Sequence, residues 1–175
     1  VDELQAFVRK QPLLLEAVSA RQFLGAAYVK LQRWPEAIEQ ARLVLTMKPT
    51  PTERVEAWRL LADALFGQES LDEALTHYRL YLQARPNDVA ALTQVGIIYA
   101  ATNRLADAVS AFRRAVDVDP KNGNSQRNLA TALLDSGDRA GAVDHARQAV
   151  RLRPGDREAA LLLEQALALR QGGRR

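Results

Sequence analysis

Apolar and small residues recur along the chain in phased columns. A branched aliphatic stands at Leu24, Leu61, Val95 and Leu129, and the next residue is always tiny: Gly25, Ala62, Gly96, Ala130. Three positions further on comes a large side chain, at Tyr28, Leu65, Tyr99 and Leu133. An alanine follows at Ala37, Ala74, Ala108 and Ala142, and a proline closes each copy at Pro49, Pro86, Pro120 and Pro154. Alanines and prolines both step by 37, 34 and 34 residues. Apolar positions at three- and four-residue spacing predict amphipathic helices. Repetition at about 34 residues predicts a solenoid of helix–turn–helix units, which bury their apolar faces only by stacking.

The pattern places helices at 2–10, 16–31, 34–47, 53–67, 71–84, 88–101, 105–118, 122–135, 139–152 and 156–170. Turn signals separate the members of each pair: Gln32-Arg33, Glu69-Ser70, Asn103-Arg104 and Gly137-Asp138. Asn103 and Gly137 tolerate the left-handed conformation that ends a helix. Ser70 with Glu73 reads as a capping box. A glycine inside a helix costs roughly 0.5–1 kcal/mol relative to alanine, so Gly25 and Gly96 need a packing reason. They are expected to face Ala37 and Ala108 on the antiparallel partner helix. Three extra residues, Thr52–Arg54, are expected to lengthen the fourth of these helices or the loop after Pro49. Trp34 opens a helix and is a candidate for staple packing or for self-contact. The last helix, with Ala160, Leu163 and Leu167 on one side, suits a cap over the final unit.

These columns resemble the tetratricopeptide repeat family, whose pattern is a bulky residue, Leu-Gly and Tyr in one helix, then Ala, an aromatic and Ala in the next, then Pro. Residues 89–122 carry it as Leu92, Val95, Gly96, Tyr99, Ala108, Phe112, Ala115 and Pro120; residues 55–88 as Trp58, Leu61, Ala62, Leu65, Ala74, Tyr78 and Pro86. Residues 123–156 supply Leu129, Ala130, Leu133, Ala142, Ala149 and Pro154, and residues 18–54 supply Leu24, Gly25, Tyr28, Ala37 and Pro49. The resemblance implies an all-α, right-handed superhelical solenoid of antiparallel helix hairpins. It implies one domain over 1–175: repeats at 18–54, 55–88, 89–122 and 123–156, a capping helix at 157–171, and a partial upstream helix at 1–11. Tyr81 stands where the family usually has a small residue, so residues 71–84 are expected to pack more loosely, or rotated, on the next first helix.

Composition narrows the function. The chain has 47% hydrophobic residues, enough for a continuous core, and no cysteine, which excludes disulfides and thiol catalysis. No run of about 18 apolar residues is present, so no membrane span is expected. Net charge is +3, and by unit the repeats carry +3, −3, +1 and +1. Interspersed signs of this kind argue against nucleic acid, which selects a basic stripe. His77 and His145 lie two repeats apart and read as structural. Asp135 and Asp138 flank a turn glycine and read as helix-end caps. There is no phosphate loop, zinc spacing or nucleophile elbow, so neither a catalytic site nor a cofactor or metal site is expected.

What remains is the concave surface that the family's first helices line for peptides. The matching positions are Ser19, Gln22 and Ala26, then Glu56, Arg59, Asp63 and Phe66. The third repeat offers Ala90, Thr93, Gln94, Ile97 and Ala101, and the fourth Asn124, Arg127, Asn128, Thr131 and Asp135. The core of the candidate site is Gln22, Arg59, Asp63, Thr93, Gln94, Asn124, Arg127, Asn128 and Thr131. Gln94 and Asn128 share one column and resemble an amide ladder that hydrogen-bonds a peptide backbone, because a carboxamide donates and accepts at once. Phe23 and Leu60 interrupt that ladder. Arg59 and Arg127 are candidates to grip an acidic side chain. Gln22 and Ala26 stand where a chaperone-binding clamp would have lysine and asparagine, which argues against that ligand.

The reading is a non-catalytic scaffold binding a peptide segment or partner subunit, with self-association open. Its alternatives are an assembly subunit of a bacterial envelope apparatus, such as a pilus or polysaccharide exporter, and the regulatory arm of an enzyme whose catalytic domain lies elsewhere. Ala-, Leu- and Arg-rich usage suggests a bacterial source, and Val1 in place of an initiator methionine reads as an excised segment. Compartment is left open between cytoplasm and bacterial periplasm.

Overall fold

The computed structural model describes residues 1, 3, 5, 6 and 15–172. Those residues form nine helices and no strand: α1 (Leu15–Lys30), α2 (Trp34–Thr46), α3 (Pro51–Gly67), α4 (Leu71–Ala84), α5 (Val89–Ala101), α6 (Leu105–Val118), α7 (Gly123–Asp135), α8 (Arg139–Leu152) and α9 (Arg157–Gly172). The helix expected at 2–10, and with it the upstream partial helix at 1–11, falls largely outside the described residues. The chain divides into two compact units, Val1–Pro86 and Asn87–Arg175.

In the first unit α1 pairs with α2 and α3 with α4, while α3 also packs on α2 and α1. In the second, α5 pairs with α6 and α7 with α8; α7 also packs on α6 and α5, and α9 lies on α8 and α7. The columns form the two cores. Ala37, Ala74, Ala108 and Ala142 are wholly buried, and Tyr28, Leu65, Tyr99 and Leu133 nearly so.

All four turns inside the hairpins have one geometry. Gln32, Glu69, Asn103 and Gly137 take φ of 56°, 65°, 57° and 90°. The next amide in each turn then donates to the carbonyl of the large-residue column: Arg33 to Tyr28, Ser70 to Leu65, Arg104 to Tyr99, Asp138 to Leu133, at 2.9, 2.9, 2.7 and 2.8 Å. This closing bond satisfies a helix-end carbonyl that has no partner inside the helix. Gln32 and Glu69 adopt the conformation despite their Cβ, at a cost of roughly 1–2 kcal/mol each. In the two turns that follow a column tyrosine, an arginine reinforces the corner. Arg33 and Arg104 stack 4.7 and 4.5 Å above the Tyr28 and Tyr99 rings, and pair with Glu36 and Asp107 at 2.6 Å.

Several expectations are corrected. Ser70 makes no side-chain cap bond, and Glu73 turns instead to Arg42 at 3.3 Å. The capping box sits in the extended α3: Thr50 Oγ1 accepts from the Glu53 amide at 3.3 Å, and the Glu53 carboxylate accepts from the Thr50 amide at 2.8 Å. The atoms nearest to an added Cβ at either glycine belong to larger neighbours. A Cβ on Gly96 would lie 2.5 Å from the Phe112 ring, and one on Gly25 would lie 2.5 Å from Leu60 of α3 and 3.4 Å from Gln40. Trp34 is half-buried and lies against Gly67, where a Cβ would come within 2.7 Å of its ring. On α9 the wholly buried positions are Ala159 and Ala166, with Ala160, Leu163 and Leu167 half-buried, because alanines permit the closer approach.

Candidate functional site

Within the first unit, α1 and α3 line a groove of about 400 Å³. Its walls are Ser19, Gln22, Phe23 and Ala26 from α1, and Glu56, Arg59, Leu60 and Asp63 from α3. Each set is spaced i, i+3, i+4, i+7, so each is one helical face. Six of the eight are positions carried over from the family. Phe66 does not line the groove. The two that the sequence reading set aside, Phe23 and Leu60, form its apolar lining. Phe23 is 69% exposed, so it forgoes much of the roughly 1.5–3 kcal/mol that burying such a ring contributes.

Four of the five polar side chains of this groove, all but Ser19, already have partners. Gln22 Nε2 donates to the Glu53 carbonyl oxygen at 2.9 Å. Tyr78 Oη donates to Asp63 Oδ1 at 2.6 Å, and Arg59 Nε stands 3.7 Å from Asp63 Oδ2. The Arg59 guanidinium lies 5.7 Å over the Tyr81 ring, and Glu56 is 3.9 Å from Arg85. Tyr81 is itself buried, so the bulky residue at a small-residue position becomes the platform that orients Arg59.

The matching positions of the second unit lie on α5 and α7. Thr93 and Thr131 turn their hydroxyls back onto their own helices, to the Val89 and Arg127 carbonyls at 2.7 and 3.1 Å. Gln94 is half-buried and its Oε1 is buried without a hydrogen-bond partner; Asn128 is half-buried in the same column. Arg127, a candidate to grip an acidic side chain, is engaged by acids of its own chain. Its guanidinium binds both Asp156 oxygens at 3.0 and 3.1 Å and Glu158 at 2.7 Å. Asn124 likewise accepts from Arg153. Both side chains therefore bind the start of α9 and the turn before it. The backbone amide of Ala159, at 3.1 Å, and then the neighbouring arginines hold the Asp156 carboxyl below its ordinary range.

The histidines occupy one place in two repeats, but their surroundings differ. His77, on α4, has a buried Nδ1 with no partner; His145, on α8, has Nδ1 2.8 Å from Gln126 Oε1. Because Gln126 Nε2 donates to the Pro120 carbonyl at 2.8 Å, its oxygen faces the ring and Nδ1 carries the hydrogen. Burial pushes both imidazoles below the ordinary histidine value; Arg113 adds to this at His145, and Arg42 at His77. Among the described residues no three potential ligands gather to hold a metal ion. Asp138 caps α8 by accepting from the Gly141 amide at 2.9 Å, while Asp135 is an exposed residue at the end of α7.

Comparison with known proteins places this geometry in a class. Tetratricopeptide repeat profiles match residues 55–98, and then 82–126, 96–157 and 127–174. The chain belongs to the tetratricopeptide repeat family. Its fold is the all-α helical repeat, as in the crystal structure of MamA, at a TM-score of 0.78 with 18% identity over 86% of this chain and 85% of that one. YrrB, described as a TPR protein with an unusual peptide-binding site, matches at a TM-score of 0.77 with 23% identity over 91% of this chain and 82% of its own. The peroxisomal targeting signal receptor of Eremothecium gossypii is 28% identical over 80 residues, which are 46% of this chain and only 14% of that receptor. No described helix is long and apolar enough to cross a membrane.

Proposed function

We propose that this chain is a non-catalytic protein-interaction scaffold that holds a peptide segment of its partner against the first helices, with the α1–α3 groove as the principal seat. The observation that carries this is the groove itself, formed by one continuous face from each of two helices. Gln94 and Asn128, half-buried in one column on α5 and α7, are further candidate positions within the second unit. Family membership and the likeness to a peptide-binding repeat protein support it.

The test is to fill the groove without touching a core. Ala26 is exposed on the groove wall, so Ala26→Trp occupies the space while leaving the helices intact. Peptides selected from a displayed random library against the wild-type chain are expected to lose about tenfold or more in affinity for this variant. Glu39→Trp, exposed on the opposite member of the hairpin, is the control. Loss with Glu39→Trp and none with Ala26→Trp would move the ligand to the second helices and refute the assignment.

A further inference from the structure

We infer that the α1–α3 groove selects a bulky apolar side chain flanked by a cationic one, instead of reading peptide backbone through amides. The inference rests on the groove assignment above and names its ligand. At the ladder column, where the second unit has Gln94 and Asn128, the first unit has Phe23 and Leu60. The one carboxamide on the wall, Gln22, already donates to the Glu53 carbonyl. What the wall leaves open to a ligand is mainly apolar, a largely exposed phenyl face beside Leu60 and Ala26, with the exposed Ser19 hydroxyl as its free polar group. A groove of about 400 Å³ has room for a leucine- or phenylalanine-sized group.

Charge sets the flank. The wall holds two carboxylates, Glu56 and Asp63, against one guanidinium, Arg59, which is itself drawn onto Asp63 and Tyr81. A lysine or arginine beside the apolar anchor meets that field; a glutamate is repelled by it.

Three labelled peptides, identical except for a central Leu-Lys, Leu-Glu or Ser-Lys pair, test this against the whole chain by fluorescence anisotropy and amide chemical-shift mapping. Leu-Lys is expected to bind tightest, with Ser-Lys weaker by about tenfold for loss of the buried side chain. Phe23→Ser is expected to bring Leu-Lys down to the level of Ser-Lys and to leave Ser-Lys unchanged. Its thermal melt serves as the folding control, since Phe23 is solvent-exposed. If all three peptides shift the Gln22, Arg59 and Asp63 amides with equal affinity, the groove stands and the apolar-anchor inference falls. Shifts confined to other residues overturn both, and binding of Leu-Glu as tight as that of Leu-Lys overturns the cationic flank.

Discussion

Gly25 and Gly96 occupy one column, yet the structure predicts opposite responses to the same substitution. Alanine at either site gains about 1 kcal/mol of helix propensity. At Gly96 the added methyl would sit 2.5, 2.7 and 2.7 Å from three carbons of the Phe112 ring, against ordinary carbon contacts of about 3.5–4.0 Å. That ring is 4% exposed and its helix neighbours Ala108, Ala111 and Ala115 are buried too, so it has nowhere to retreat. Overpacking of this kind costs about 1–3 kcal/mol, which leaves Gly96→Ala destabilised by about 1 kcal/mol net. At Gly25 the obstacle is the terminal Cδ2 of Leu60 at 2.5 Å, and Leu60 lines an open groove into which that methyl can rotate. Gly25→Ala is therefore expected to be neutral or to gain about 0.5 kcal/mol. Urea unfolding followed by circular dichroism reads both variants. Tryptophan fluorescence isolates the first unit, because Trp34 and Trp58 both lie there. A gain in stability for Gly96→Ala, or a coupling to Phe112→Leu below about 0.3 kcal/mol in a double-mutant cycle, would refute the reasoning.

Three further outcomes are expected. Thr50→Ala removes a real capping box and should cost about 1 kcal/mol in the same urea assay, while Ser70→Ala, which removes no cap bond, should change stability by less than about 0.5 kcal/mol. Arg127→Ala frees Asp156 and Glu158, so amide exchange in the first turn of α9 should quicken several-fold while α5 and α6 keep their protection. Acid should act on the same place: the Asp156 carboxyl is depressed in the folded state, so its contribution is present above about pH 4 and is lost as pH falls through the folded value. For the histidines the depressed value has the complementary sense. The folded state resists protonation, so stability is full above about pH 6.5 and falls as pH drops below it. Imidazole proton shifts should titrate with midpoints under that value; a midpoint above it at either ring would contradict the burial argument.

The parts of the fold that were legible in the sequence are those where every copy faces the same steric demand. A column of alanines wholly buried in all four hairpins admits nothing larger, so it is written identically each time. The turns were half legible. Asn103 and Gly137 carry a residue signal for the left-handed conformation, whereas Gln32 and Glu69 take it only because the closing bond and the packed hairpin impose it. Solvent-facing positions feel no such demand, and there the reading was partial. The family's groove positions, carried over, locate six of the eight groove residues, while Phe23 and Leu60 read there as interruptions of a polar ladder. Net charge per repeat hid another column: Arg42, Arg79, Arg113 and Arg147 recur at the same 37, 34 and 34 intervals on α2, α4, α6 and α8, all exposed. Summing charge over a repeat averages across faces and erases a pattern confined to one of them.

The intrachain pairing of Arg127 shows a more general reason. Aligning repeats compares each position with its equivalent one period later, so it detects what is conserved in phase. The polar contacts that join successive elements run out of phase. Gln22 reaches Glu53, Arg42 reaches Glu73, Asn124 is reached by Arg153, and Arg127 reaches Asp156, at separations of 29 to 31 residues. Each contact is shorter than the period, so it pairs one column with a different column of the following copy. An acid supplied by α9 or its leading turn thus neutralises an arginine that the column reading left free for a ligand. Phe23 escapes this arithmetic, since no out-of-phase neighbour covers a side chain that remains 69% exposed. In a stacked-hairpin protein, then, the side chains open to a ligand are known only after the contacts one repeat-minus-a-turn away are counted, and in the α1–α3 groove the large side chain left open by that count is Phe23.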